Sequence, residues 1–342
     1  MKQLLLTLTA VMFAFFCKAQ QSPFLVKNFE STIREAEVYT SGGSIEVMHQ
    51  AGETNRIEVY VRGNNNRTFS KAEIEERLQN DYNLTIDVSG GKLYAKAEAR
   101  KGYRDWNNSL SFSFKVFVPE SVDTKLATSG GRIHLNGVKG VLKFSTSGGS
   151  LHLDKVGGEL DGATSGGSIH ITNSKGNGKL TTSGGSINAD ACEGIMKLTT
   201  SGGSIKLSQL NGDFDAITSG GSVTADDISG TLETSTSGGS MRLSNMKCAL
   251  SASTSGGSIH AEITKPVKYI KLGNSSGNIE LSLPANIGYD LDLRGNKISV
   301  PSLSNFSGDF SNESVKGQLN GGGIPVTAKS SGKITVNIVK YH

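Results

Sequence analysis

Apolar and polar residues alternate with a period of two along most of the chain, and the alternation restarts at a fixed interval. The segment Thr-Ser-Gly-Gly-Ser-Ile, or a close variant, opens each repeat, and its threonine recurs every 18 residues. A strict internal period of this kind indicates stacked structural units. Numbering each repeat from its threonine, position 1 is occupied by Thr128, Thr146, Thr164, Thr182, Thr200, Thr218, Thr236 and Thr254.

Residues at the same position of successive repeats form columns, and two of these columns are apolar. Positions 6 and 8 share one side of a strand because alternate residues point the same way. Position 13 is glycine in six consecutive repeats, and eighteen residues are too few for a helix plus two strands. The repeat therefore predicts a strand, a Gly-Gly turn, a second strand and a glycine corner. Position 6 holds Ile133, Leu151, Ile169, Ile187, Ile205, Val223, Met241 and Ile259.

This pattern predicts an all-β fold, a single-stranded β-helix-like β-solenoid with one 18-residue coil per repeat. Neighbouring coils would hydrogen-bond at about 4.8 Å. We expect the threonines to point inward near the turn and the serines at positions 2 and 5 to point outward. We also expect the turn glycines to adopt backbone angles that other residues disfavour. These structural glycines are Gly148, Gly149, Gly166, Gly167, Gly184, Gly185, Gly202 and Gly203.

The segments outside the regular repeats suggest how the chain is organised. Residues 1–19 combine Lys2, an apolar run and a small-x-small site ending at Ala19, which predicts a Sec-type signal peptide that is removed. Residues 20–127 read as looser coils with a helix-containing insertion at about 62–81, where Ser70 and Glu73 form a capping box. Residues 128–272 are the regular solenoid and 273–342 its irregular closing coils, in one continuous domain from about residue 24. The short helix and irregular strands should cap the N-terminal end.

Two cysteines, Cys192 and Cys248, remain after removal of the predicted leader. They stand three coils apart, roughly 14 Å along the axis, which is too far for a disulfide. Both are predicted to be small core or corner residues.

Composition and charge narrow the functional classes. The 342 residues include 43 glycines and carry a net charge of +4, with basic and acidic residues intermixed. The chain lacks the dense basic stripe of a nucleic-acid-binding protein, and its glycines lack the G-X-Y period of collagen. We expect export to the periplasm, outer surface or medium, with no transmembrane segment in the mature chain.

One combination of segments resembles a known family. The segment FKVFVPESVDTKLATSGGRIHL, the serial SGGSI coils and LSLPANIGYDLDL together resemble the DUF4097 family of exported bacterial β-solenoid adhesins. The head-GIN-type adhesins are similar in style. The resemblance covers roughly residues 24–340 and implies the solenoid fold and an envelope or surface setting. It implies no catalytic residue and no cofactor.

The outward column at position 7 is the main candidate for binding. Three successive histidines would stand about 4.8 Å apart, close enough for two to share a metal, but a solvated polar-basic stripe is the favoured interpretation and we predict no metal site. A loop with Tyr103 and Trp106 among basic residues is a second candidate for contacting sugars or an anionic polymer. Expected partners are a cell-surface glycan, an envelope polymer or another surface protein. The candidate residues at position 7 are His134, His152, His170, Lys206, Arg242 and His260.

Two other functions are compatible with the same pattern. Acidic residues recur on alternate coils at position 9, as Asp154, Asp190, Asp226 and Glu262. Acids two coils apart would be roughly 9.6 Å from each other, near the range of inverting glycosidases, so a polysaccharide-acting enzyme is the first alternative. A Ser/Thr-rich face could also bind ice or a crystalline glycan, which is the second. We expect a non-enzymatic protein.

Overall fold

The computed structural model describes residues 22–52, 54–64, 67, 69–100, 109–265, 268–300 and 305–340. It is nearly all β, with 64% strand, and the described residues contain one helix. The strands build a β-solenoid of about nine turns of about 18 residues, as the repeat predicted. The predicted signal peptide, residues 1–19, lies outside the described residues.

The N-terminal part carries the helix and the first nine strands. The helix, α1, spans Lys71–Asn80. The strands are β1 (Leu25–Asn28), β2 (Glu35–Tyr39), β3 (Ile45–Met48), β4 (Arg56–Gly63), β5 (Tyr82–Ser89), β6 (Lys92–Ala99), β7 (Leu110–Phe117), β8 (Asp123–Thr128) and β9 (Ile133–Asn136).

In the regular repeats each coil consists of a short strand, a corner, a long strand and the Ser-Gly-Gly turn. In the three coils between residues 205 and 254 the two strands run together through the corner. The strands are β10 (Lys139–Thr146), β11 (Leu151–Asp154), β12 (Gly157–Thr164), β13 (Ile169–Thr172), β14 (Lys175–Thr182), β15 (Ile187–Asp190), β16 (Glu193–Thr200), β17 (Ile205–Thr218), β18 (Val223–Thr236), β19 (Met241–Thr254) and β20 (Ile259–Ile263).

The C-terminal part contains eight further strands. They are β21 (Ile270–Asn274), β22 (Ile279–Pro284), β23 (Tyr289–Arg294), β24 (Lys297–Ser299), β25 (Phe306–Phe310), β26 (Ser314–Leu319), β27 (Ile324–Ser330) and β28 (Lys333–Val339).

Every coil contributes to two parallel ladders, one of short strands and one of long strands. In both ladders, residues at the same repeat position are direct partners, as in Ile187 with Ile205 and Thr182 with Thr200. The inward residues of both ladders form one continuous core along the described coils. Cys192 and Cys248 are free, buried members of that core, as predicted.

The order of coils along the axis departs from chain order at both ends. The first coil, β2–β3, lies between β6–β7 and β8–β9. The last coil, β27–β28, lies between β21–β22 and β23–β24. The final segment, which the sequence suggested as closing strands, is therefore inside the stack. Antiparallel strands lie outermost instead: β5, β4 and β1 at one end, β26 and β25 at the other.

These antiparallel strands end the parallel stacking, and α1 covers the N-terminal end beside them. Ser70 caps the helix: its hydroxyl accepts from the Glu73 amide, and the Glu73 carboxylate accepts from the Ser70 amide at 2.7 Å. This is the predicted capping box. Ile74 joins the hydrophobic core from the helix. Because these elements interrupt the parallel ladders at both ends, they limit edge-to-edge association between molecules.

The threonine at position 1 is buried in every regular repeat and joins two coils. The Thr182 hydroxyl donates to the carbonyl of Gly167 in the preceding coil at 2.8 Å and accepts from the Gly185 amide of its own turn at 3.2 Å. In the next coil along the axis after Thr254, Asn274 replaces the threonine and makes both contacts with its amide group. Ser330 makes the corresponding two contacts with its hydroxyl in the inserted last coil. This ladder of side-chain hydrogen bonds thus continues where the repeat sequence has changed.

The second glycine of each turn is required by space, which corrects the reason given from sequence. None of the glycines in the regular Ser-Gly-Gly turns has a positive φ. A Cβ on Gly185 would stand 2.0 Å from the Gly167 carbonyl oxygen, whereas a Cβ on Gly184 would meet nothing closer than 3.6 Å. The coils are stacked so closely at this point that only the second position has no room for a side chain.

Left-handed backbone occurs at the corner, at positions 10 and 13. Position 13 glycines such as Gly158 have a φ of 96°. Position 10 is left-handed in seven consecutive repeats, and six of these residues are not glycine, including Ala191 with a φ of 50°. Asn, Asp and Gly tolerate this region better than alanine does. The corner, and not the Gly-Gly turn, is where unusual backbone angles are needed.

Replacing Thr182 with valine should destabilise the protein by about 1–3 kcal/mol, because the buried Gly167 carbonyl loses its donor. The matched control is Thr181→Val at the neighbouring residue, whose buried hydroxyl has no hydrogen-bond partner. That change should be neutral or stabilising. Urea unfolding followed by circular dichroism measures both. Equal losses in the two variants would contradict the threonine's role.

Replacing Gly185 with alanine should cost about 1–3 kcal/mol or more, because its methyl group would overlap the carbonyl below. Gly184→Ala in the same turn adds the same methyl group at ordinary van der Waals distance from its neighbours and should change stability by less than about 0.5 kcal/mol. Thermal unfolding of the two variants provides the comparison. A similar change in melting temperature for both would show that the stacking is looser than described.

Candidate binding face

The short-strand ladder brings the predicted position-7 residues into one straight column. Successive members are direct partners across neighbouring strands: His134 with His152, His152 with His170, and Arg242 with His260. Asn188 and Thr224 interrupt the charged residues. We call the outward surface formed by positions 5, 7 and 9 of this ladder the polar face. It contains His134, His152, His170, Lys206, Arg242 and His260, as the alternation predicted.

Three histidines form a contiguous cluster at the N-terminal part of the column. The rings of His152 and His170 stack, with centroids 4.9 Å apart and planes 22° apart. His134 meets His152 edge-on at 6.4 Å. Nδ1 of His170 lies 3.2 Å from the Asn188 side-chain amide nitrogen. The three half-buried imidazoles therefore form a short stack that Asn188 ends.

Burial lowers the pKa of two of these histidines. For His152, the neighbouring His170, Arg132 and His134 lower the pKa further, since a second positive charge nearby disfavours protonation. For His134, burial also lowers the pKa most, and Glu46 and Asp154 oppose the shift. His134 and His152 are thus held in their neutral forms to more acidic pH than free histidine.

The stack does not suit a metal ion. Nitrogens of two nearly parallel stacked rings do not converge on one point, as tetrahedral coordination requires. Within the part of the chain that the structure describes, no group of three or more His, Cys, Asp or Glu side chains could hold a metal.

Serines at position 5 form a second column beside the histidines. The Ser168 hydroxyl accepts from the Ser186 amide, and the Ser186 hydroxyl accepts from the Ser204 amide, each at 3.3 Å. The same contact recurs between Ser240 and Ser258. These hydroxyls support the turn from outside while the threonines support it from inside. Their own hydrogens remain able to donate outward. Arg132 replaces serine in the first regular repeat.

Acidic residues at position 9 form the third column and are tied to the next coil. Asp154 accepts from the Thr172 hydroxyl and the Asn173 side chain, both at 3.0 Å. Burial tends to raise the pKa of Asp154, but these bonds and the nearby Lys155 and His134 together lower it below its ordinary value. Asp190 accepts from the Ser208 hydroxyl in the same way. A general acid needs a raised pKa, so Asp154 is not suited to the general-acid role in the enzyme alternative.

Of the predicted site residues, Tyr103 and Trp106 lie outside the described residues. His260 belongs to the column but is separate from the other histidines, and its Nδ1 lies 3.1 Å from the Glu280 carboxylate. Lys206 and Arg242 are exposed. The structure thus brings His134, His152 and His170 into contact and places Lys206, Arg242 and His260 farther along the same column.

Two shallow hollows on the long-strand ladder were not predicted from sequence. They have volumes of about 550 and 540 Å³ and share Asn177 and Gly178. Gly178 stands in a column where its direct partners are Leu160 and Met196. A glycine in an otherwise apolar column is the sequence signal that could have indicated this depression. The exposed side chain of Ile195 lies at its edge.

Among the described residues, none of the helical segments has the length and apolar character needed to cross a bilayer.

The amino-acid sequence matches one protein family over part of its length. A family model described as Toastrack DUF4097 matches residues 196–337, which confirms the predicted resemblance over that part of the chain. No curated protein matches the sequence significantly.

Three solved structures share low sequence identity with the chain, and each aligns over 92% of it. A proposed cell adhesion protein from Clostridium sporogenes is 10% identical, with 98% of its own chain covered and a TM-score of 0.21. A proposed adhesin from Bacteroides fragilis is 11% identical, with 96% covered and a TM-score of 0.23. A proposed lipid-binding protein from Parabacteroides distasonis is 14% identical, with 96% covered and a TM-score of 0.28.

Burial lowers the pKa of His134 and His152 in the folded protein, whereas in the unfolded chain a histidine has a pKa of about 6.5. The unfolded chain therefore binds protons more readily than the folded protein. The stability contributed by the two neutral imidazoles is present above about pH 6.5 and is lost as the pH falls below it. Replacing His152 with asparagine, which the column already contains at Asn188, should therefore make the loss of melting temperature between pH 7.5 and pH 5 smaller. Differential scanning calorimetry at several pH values measures this. His260→Asn removes a histidine outside the stack and serves as the control. A wild-type pH profile in His152→Asn would contradict the assignment.

Proposed function

We propose that the protein is an exported, non-enzymatic binding module of the cell envelope that contacts an envelope glycan or polymer through the polar face. One observation carries the proposal: the parallel register holds the position-7 side chains in a straight column over eight successive coils. An extended array of this kind matches an extended ligand. The match of residues 196–337 to the Toastrack DUF4097 family agrees with an envelope setting.

The acids of the polar face support a binding role over a catalytic one. Asp154 and Asp190 both accept hydrogen bonds from side chains of the next coil, and Asp226 accepts from Asn245 at 2.8 Å. Carboxylates engaged in this way stabilise the ladder, whereas a glycosidase needs one free acid and one base with separated pKa values.

One further feature supports export, and another weakens the ice-binding alternative. Burial raises the pKa of the Cys248 thiol to about 12, and it also raises that of Cys192. Buried thiols of this kind resist oxidation, which suits a chain that leaves the reducing cytoplasm. Lys206 and Arg242 project from the polar face and break the regular hydroxyl array that ice binding would need.

A glycan and envelope-polymer binding screen of residues 20–342 tests the proposal. We expect binding to at least one polymer and about tenfold weaker binding, or about 1.4 kcal/mol, for the double variant His152→Ala/Lys206→Ala. Lys175→Ala, on the long-strand ladder, is the control and should bind as wild type does. Trp106→Ala tests the second predicted site separately.

Two outcomes would overturn the proposal. Equal binding by wild type and the double variant would remove the polar face as the binding surface. Cleavage of a bound polymer, detected as new reducing ends, would show that the protein is an enzyme. Circular dichroism of each variant confirms that the fold is retained.

A further inference from the structure

The histidine stack lies beside an unusual cation. Position 5 is serine in most regular repeats, but in the first it is Arg132, which is exposed immediately before β9, the strand of His134. Arg132 lowers the pKa of both His134 and His152, so its charge acts on the stack. Arg132, His134, His152 and His170 therefore form one patch over three successive coils, which we call the histidine patch.

The charged groups around this patch nearly balance at neutral pH. On the neighbouring strands, Glu46 is the partner of His134 and Lys115 is the partner of Glu46. Asp154 lies two residues from His152 on the same strand, and Asp190 lies beyond Asn188 on β15. The three cations Arg132, Lys115 and Lys155 offset the three carboxylates Glu46, Asp154 and Asp190. Protonation of the three imidazoles would then make the patch strongly positive.

We propose that the histidine patch is a proton-gated site for a linear polysaccharide that carries carboxylate groups, and that the site binds as the pH falls below neutral. This inference rests on the proposed function and specifies the ligand and its regulation. The polymer would lie along the solenoid axis, with its carboxylates over the imidazoles. The coil spacing of about 4.8 Å is close to the length of one sugar residue in a linear chain, so successive coils can meet successive residues.

The columns beside the histidines favour a glycan over a polyphosphate. Ser150 and Ser168 on one side and Asp154 and Thr172 on the other offer donors and acceptors for sugar hydroxyl groups. A polyphosphate has only acceptor oxygens along its chain and offers no donor to Glu46 and Asp154, whereas the hydroxyl groups of a glycan can donate to both carboxylates. A carboxylated glycan has fewer charges per unit length and many hydroxyl groups, which fits the mixed surface.

Binding and protonation must then be linked. A ligand carboxylate beside an imidazole favours its charged form, so binding should raise the histidine pKa values that burial and Arg132 have lowered. Linkage requires the reciprocal effect: protonation strengthens binding by the same factor. The protein should therefore take up protons when it binds.

Isothermal titration calorimetry of residues 20–342 with a galacturonic acid hexamer tests this directly. Affinity should increase at least about tenfold from pH 7.5 to pH 5.5, as expected when one or more protons are taken up per binding event. Titrations in two buffers of different ionisation enthalpy should show that proton uptake. Cellohexaose, which has the same length and no charge, should bind no more tightly at low pH.

The variant His152→Asn/His170→Asn should lose most of the pH dependence, whereas Lys175→Ala, on the long-strand ladder, should retain it. The inference is overturned if the double variant keeps the wild-type pH dependence, or if no proton uptake accompanies binding. Tighter binding of polyphosphate than of the hexamer would overturn the choice of ligand. If the polar face instead binds another envelope polymer with no pH dependence, the proposed function stands and the gated site does not exist.

Discussion

The solenoid depends on the close contact between successive turns. At the second glycine of each turn, the backbone lies directly against the carbonyl of the coil below, with no space for a Cβ. The buried threonine hydroxyl donates to that same carbonyl and accepts from its own turn. Asn274 and Ser330 preserve the contact where the sequence has drifted. Because each turn is fixed on the one before it, a coil cannot shift in register without breaking buried hydrogen bonds.

Fixed register has a direct consequence for the surface. Every outward position becomes a straight column, so a change at one repeat position alters one point on a line. Serines and acids beside the histidines bond to the next coil and keep the polar face ordered. The histidine stack arises because three consecutive repeats carry histidine at position 7, and register alone brings the rings together. Functional variation can therefore occur in these columns while the core and turns stay constant.

The period, the core columns, the inward threonines and the capping box at Ser70 could be predicted from sequence, because each depends on contacts one repeat or one helical turn apart. The order of coils at the two ends could not. It depends on pairings such as β22 with β28, about fifty residues apart, and no repeat marks them. The spatial need for Gly185 also escaped sequence reasoning, since a glycine required for space looks the same as one required for its φ. The lowered pKa of His152 depends on burial, which alternation alone does not reveal.

Amide hydrogen exchange at the Ser-Gly-Gly turns tests the central claim most directly. In an ordinary exposed loop these amides exchange rapidly. Here the Gly184 amide donates to the Ser165 carbonyl of the preceding coil at 2.8 Å, and the Gly185 amide donates to Thr182. The account predicts that both amides are protected as strongly as those of the flanking strands β14 and β15. Rapid exchange at the turns with slow exchange in the strands would show that the strands alone hold the coils together.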